Sequence, residues 1–201
     1  MIMIGKHTTI LCALIVTVGL AHPDATCAGV PTDQVRATVD RVLAILRDPA
    51  LNSVGAKAAR RSELSKAILP RFDFAEMAKR SLGAEWRRRT PAEQEEFIRL
   101  FTELLKNSYV ESIESYRGEK VIYRSESQDG AYADVGTKVI NDRGEEFTID
   151  YRLNLEGSEW KAYDVIIENI SIVNNYRSQF VRILGRSSFA ELLQSIRDKL
   201  R

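Results

Sequence analysis

Apolar residues recur at helical spacing through the first half of the chain and alternate with polar ones through most of the second. Val35, Val39, Val42, Leu43 and Leu46 share one helix face, so the spacing predicts a helix over about residues 32–47, capped by Thr32-Asp33. Pro49, Asn52, Ser53 and Gly55 break it. A second helix is predicted from Ala56 to Leu69, ahead of Pro70, and a third from about Asp73 to Gly83. The strongest helix signal is Thr90-Pro91-Ala92-Glu93, where Thr90 caps, Pro91 needs no N–H partner and Glu93 completes a capping box. Its apolar stripe runs from Phe97 through Phe101, Leu104 and Ile113 to Tyr116, wider than a one-sided surface helix requires. Such a helix is wedged between two core layers or forms the wall of a pocket.

From Lys120 the period becomes two. Residues 121–123, 132–140, 147–155 and 160–167 are strand candidates, separated by short Gly-containing turns at 128–130, 141–144 and 156–158. Turns this short demand antiparallel pairing. In the third strand Phe147, Ile149, Tyr151 and Leu153 share one face, while Thr148, Asp150, Arg152 and Asn154 share the other. Helical pattern resumes near Asn174 to Leu184, and Ser188-Phe189-Ala190-Glu191 opens a last helix to about Leu200 with a second capping box. The predicted fold class is α+β: an antiparallel four-stranded curved sheet with helices packed on one face around an apolar cavity. Phe74, Met77, Phe97, Phe101, Phe147, Ile149, Tyr151 and Ile170 are the residues expected to share that interior.

Composition narrows the chemistry. Lys6, the apolar run Ile10–Leu20 and the small residues Ala25, Thr26 and Ala28 read as a signal peptide over residues 1–28. The run is too short to span a bilayer, which needs about 20 apolar residues. Asp24-Ala25-Thr26 before Cys27 lacks the apolar residue of a lipid-attachment site. Residues 29–201 are then one exported domain, expected to be a periplasmic monomer. Both histidines (His7, His22) and both cysteines (Cys12, Cys27) precede it. That excludes a disulfide, a Cys nucleophile, a His-based metal site and a Ser-His-Asp triad from the mature domain. Lys and Arg number 29 against 28 Asp and Glu, a balance that gives nucleic-acid binding no support. Carboxylates and tyrosines remain: Asp150, Asp164 and Glu168, with Tyr151 and Tyr163. Asp150 falls on the polar strand face, which favours a solvated sheet over an acid–base pair. Ser171 has no histidine to activate it. No catalytic residue, cofactor or metal site is assigned. Arg60-Arg61 and Arg87-Arg88-Arg89 are basic clusters with nearby acids, whereas Arg177 stands in the densest motif of the chain.

That motif and one other carry a family resemblance. The run Arg71-Phe72-Asp73-Phe74-Ala75-Glu76-Met77-Ala78, with Leu82-Gly83, Trp86, Thr90-Pro91 and Phe97, resembles the MlaC family of periplasmic phospholipid-binding proteins, also called toluene-tolerance auxiliary proteins. So does Trp160-Lys161-Ala162-Tyr163-Asp164-Val165, continuing through Glu168-Asn169-Ile170-Ser171 to Asn175-Tyr176-Arg177-Ser178-Gln179-Phe180. Asn169 stands where the family pattern has Gly, and Asn also tolerates left-handed backbone. The resemblance implies a soluble carrier that moves phospholipid between the inner and outer membranes, with acyl chains in a deep cavity and the headgroup outside. Its implied partners are an inner-membrane MCE-type ABC transporter complex and an outer-membrane lipoprotein complex. Arg177, Arg87 and Arg88 are the residues assigned to headgroup or partner contact, and Ile170 to the cavity mouth. A hopanoid carrier of the same family is the alternative cargo class, and a carboxylate-based periplasmic enzyme the alternative function.

Overall fold

The two capping boxes stand as the sequence predicts, and they start the helices that organise the core. In the computed structural model, which describes residues 30–53, 55–115, 119–141 and 143–201, Thr90 Oγ1 accepts the Glu93 N–H while the Glu93 carboxylate accepts the Thr90 N–H. Ser188 and Glu191 repeat the arrangement. The helices are α1 (Val30–Arg47), α2 (Lys57–Ile68), α3 (Phe74–Leu82), α4 (Pro91–Glu114), α5 (Ile172–Leu184) and α6 (Phe189–Lys199), with single 3₁₀ segments at Leu69–Arg71 and Gly83–Arg88. The signal-peptide reading of residues 1–28, and Tyr116 at the expected end of α4, lie outside the described residues.

The sheet is an antiparallel meander in the order β1 (Lys120–Asp129), β2 (Tyr132–Ile140), β3 (Glu146–Glu156), β4 (Glu159–Ile167) and β5 (Ile170–Ser171). It has five strands, not the expected four. The fifth is a two-residue return, too short for an alternating pattern to announce it. Its turn holds Glu168 and Asn169 at φ 48° and 64°, the left-handed pair a tight hairpin needs. Glu168 offsets its strain by accepting the N–H and hydroxyl of Thr148 on β3. Bulges at Tyr123/Ser125 on β1 and opposite Arg152/Leu153 on β4 bend the sheet.

Two apolar cores result. Phe97, Leu100, Phe101 and Leu104 of α4 pack with Tyr176 and Phe180 of α5, Phe189 and Leu192 of α6, and Met77 and Leu82 of α3. A smaller core joins Val35 of α1 to Ala133, Val135, Leu153, Trp160 and Ala162 of the sheet. Asp164, 3% exposed, links sheet to helix: its carboxylate accepts the Ser171 hydroxyl and the Val173 N–H at the start of α5. That anchorage starts α5 at Ile172, two residues before the sequence suggests.

Glu93 and Glu191 are held below the usual carboxylate range by the backbone N–H groups they cap. Glu114 is held below it chiefly by its hydrogen bonds from Arg61. The folded chain therefore binds fewer protons than the unfolded chain once pH drops toward the unfolded carboxylate pKa of about 4.3. Their stabilisation is complete above that pH and is lost as pH falls through the lower folded values. Melting temperature is expected to be flat from pH 7 to about 5 and to drop below about 4.5; circular dichroism melts across this range check it.

Candidate functional site: an apolar chamber

Between the two cores lies the middle of the sheet, where Val165 joins the helical core and Ile149, Tyr151 and Ile167 are only partly covered by it. Paired rows Val139–Phe147, Thr137–Ile149–Ile167 and Val135–Tyr151–Val165 cross it. Thr137 is fully buried in this apolar field, and its hydroxyl donates to the Ile149 carbonyl at 2.6 Å. Facing the sheet are Val39, Val42, Leu43 and Leu46 of α1, Leu64 and Ile68 of α2, and Leu105, Tyr109, Val110 and Ile113 of α4. These walls line a half-open cavity of about 950 Å³. α4 serves both roles its wide stripe allowed: its first half is core, its second half is wall.

Five of the eight residues expected in the interior line this chamber: Phe74, Met77, Phe147, Ile149 and Tyr151. Phe97 and Phe101 do not. Both are 0% exposed and stack on each other at 5.6 Å inside the helical core, because the stripe of α4 faces α5 and α6 there rather than the sheet. Ile170 is 63% exposed in β5, outside the chamber, although its neighbours Ile167 and Ile172 line it. The tight turn points the hairpin away from the interior.

Polar groups are confined to the ends and seams. Arg71, between α2 and α3, donates to Gln34 Oε1 at 2.7 Å, to the Trp160 carbonyl at 2.6 Å and to Thr38 Oγ1 at 3.1 Å. It ties α1 to β4 and closes one end of the chamber; in the sequence it stands out only as part of a motif. Glu103 and Lys106 pair at 2.8 Å on α4. Burial pushes the Tyr151 hydroxyl up and that of its neighbour Tyr123 up to about 12, so both rings stay neutral. The lining residues that are also solvent-exposed are Ala58 and Ser62 on α2, Asn107 and Ser112 on the second half of α4, and Ser115 just beyond it. Among the described residues, the chamber therefore meets water along that seam.

The candidate acid–base groups have other work. Asp150 pairs with Arg124 at 3.0 Å on the polar face, Asp164 and Ser171 hold the start of α5, and Glu168 holds Thr148. Tyr163 sits in the β4 bulge under the Arg80 guanidinium, 4.1 Å from its ring centre. Arg87, Arg88 and Arg177 do not line the chamber. Arg88 pairs with Glu85 at 2.8 Å, and Arg177 lies flat on Gly83, where a Cβ would come within 2.9 Å of its guanidinium. Among the described residues no cluster of three or more His, Cys, Asp or Glu side chains is placed to hold a metal ion, and no helix is long and apolar enough to cross a membrane.

A helix-walled sheet lining a large, mostly apolar, half-open cavity defines a container for an apolar ligand. A sequence model of the MlaC protein family matches residues 36–198, and the chain belongs to that family. The toluene tolerance protein ttg2D of Pseudomonas putida is 26% identical over 162 residues, covering 80% of this chain and 75% of the relative. The intermembrane phospholipid transport system binding protein MlaC of Haemophilus influenzae is 22% identical over 131 residues, 63% of this chain and 61% of the relative. The solved phospholipid-binding protein of Ralstonia solanacearum, in complex with a phospholipid, superposes with a TM-score of 0.74 at 29% identity. The match covers 84% of this chain and 95% of that one.

Proposed function

We propose that this protein is a phospholipid carrier that holds acyl chains in the chamber and leaves the headgroup at the solvent-facing seam. The chamber carries the reading. Its volume of about 950 Å³ lies at the upper end of the range of about 300–1,000 Å³ typical of ligand pockets, as a bulky apolar cargo requires. The names of its relatives and the phospholipid bound by the Ralstonia protein support the same cargo. In this reading the protein is a carrier rather than an enzyme. It works as a monomer in the periplasm, reached through the signal peptide at residues 1–28. There it is the soluble component of an MCE-type ABC lipid transport system, passing lipid between that complex and an outer-membrane lipoprotein complex. Arg87, Arg88 and Arg177, remote from the chamber lining, serve partner docking rather than headgroup binding.

Native mass spectrometry of protein purified from a periplasmic fraction tests this. The expected species begins near residue 29 and carries one diacyl phospholipid, identified after solvent extraction. Protein that stays bare after incubation with phospholipid vesicles, or that carries a hopanoid instead, would overturn the cargo assignment.

A further inference from the structure

Glu114 is a buried acid that holding a lipid does not require. It is the last residue of α4 and only 8% exposed. A carboxylate at a helix C-terminus opposes the macrodipole, so helix stability does not explain it. Arg61 donates to its Oε2 from Nε at 3.1 Å and from Nη2 at 2.8 Å, and Arg60 reaches Oε1 at 3.4 Å. Arg60 also donates to Asn52 Oδ1 at 2.7 Å, bringing in the connection between α1 and α2. The cluster thus fastens the α1–α2 wall to the end of α4, across the seam where the chamber reaches solvent. Exposed lining residues lie on both sides of it: Ala58 and Ser62 on α2, Ser112 on α4 and Ser115 at its C-cap. Such small residues supply little apolar contact to hold a seam closed. Leu64 and Ile113, which have the apolar surface, face the chamber instead.

We propose that the Glu114–Arg60–Arg61 cluster is the clasp on the lipid mouth: it holds α2 against α4 and sets the rate at which lipid enters and leaves. The proposal rests on the carrier reading above and adds to it the device that times release. Charges suit this task. Parting them at the seam lets water rehydrate each group, so the seam opens without stripping apolar surface from a packed core. Arg61, whose side chain is 37% exposed, already touches that water. The hydrogen bonds from Arg61 also keep Glu114 ionised, so the clasp is charged at neutral pH.

The test loads wild-type protein and variants with a fluorescent phosphatidylethanolamine and follows transfer to vesicles of phosphatidylcholine, whose zero net charge keeps vesicle attraction out of the salt response. Glu114→Gln and Arg61→Gln are each expected to speed release about tenfold, while lipid bound per protein at saturation stays at the wild-type value. Exchanging the partners, Arg61→Glu with Glu114→Arg, is expected to slow release back toward wild type. Raising NaCl from 0.05 to 0.5 M should speed release of the unmodified protein by less than either variant does, because a partly buried pair is screened less than an exposed one, and this reading needs no variant to fold. Leu192→Ala, which weakens the distant helical core, should leave release unchanged. A loaded wild-type protein whose release responds neither to salt nor to Glu114→Gln would overturn the clasp and leave the carrier reading standing. So would acceleration by Leu192→Ala equal to that by Glu114→Gln. Wild-type protein that takes up no lipid would overturn both.

Discussion

Ile149→Glu is expected to give a folded protein that no longer carries phospholipid, with affinity reduced at least 100-fold. Ile149 sits mid-strand on the chamber wall, between Thr137 on β2 and Ile167 on β4. In the empty protein the new carboxylate faces a 950 Å³ space that admits water, so the fold survives. With hydrocarbon in place the same carboxylate is stripped of water between Thr137 and Ile167, which carry no charge. A cost of about 3 kcal/mol, near the low end for such burial, already corresponds to roughly 100-fold in affinity. Extracted-lipid mass spectrometry beside a circular dichroism melt reads both halves. A folded variant with wild-type lipid content would show that the hydrocarbon lies elsewhere.

Phe97→Ala should act in the opposite way, costing about 3–5 kcal/mol of stability while the remaining folded protein keeps its lipid capacity. Phe97 is fully buried, stacked on Phe101 and set edge-on to Phe180 at 5.6 Å. The ring of Phe189 is 6.1 Å away. None of this surface belongs to the chamber, so the substitution leaves a void in the packed core and takes nothing from the cargo. Urea unfolding measures the loss. A change below about 1 kcal/mol would mean that the helical core is not packed around this ring.

These two residues look alike in the sequence, each a large apolar side chain on a strongly patterned element, yet one lines the chamber and the other fills the helical core. Periodicity tells that a side chain faces inward. It does not tell whether the inward space is filled. Phe97 at one end of α4 and Ile113 at the other lie in one unbroken apolar stripe, and only the placement of α5 and α6 against the first half makes that half core. Ile170 errs for a related reason. The family resemblance implies a cavity mouth for it, but the direction of a side chain at a two-residue turn depends on the φ values of Glu168 and Asn169, which no hydrophobic pattern encodes. The clasp was half visible: Arg60-Arg61 stood out as a basic pair, while its partner lies 53 residues away in the chain.

What the sequence by itself determined is local. Capping boxes at Thr90 and Ser188, the period-two face Phe147–Leu153 and the glycine turns specify elements through contacts spanning a few residues, and the ordered motifs specified the family. What only the tertiary structure decided is where those elements fail to touch. The chamber is a gap between two cores, set by sheet curvature from two bulges, by Arg71 tying α1 to β4 and by Glu114 tying α2 to α4. A gap arises from the relative positions of distant segments, and no single stretch of sequence carries its signal.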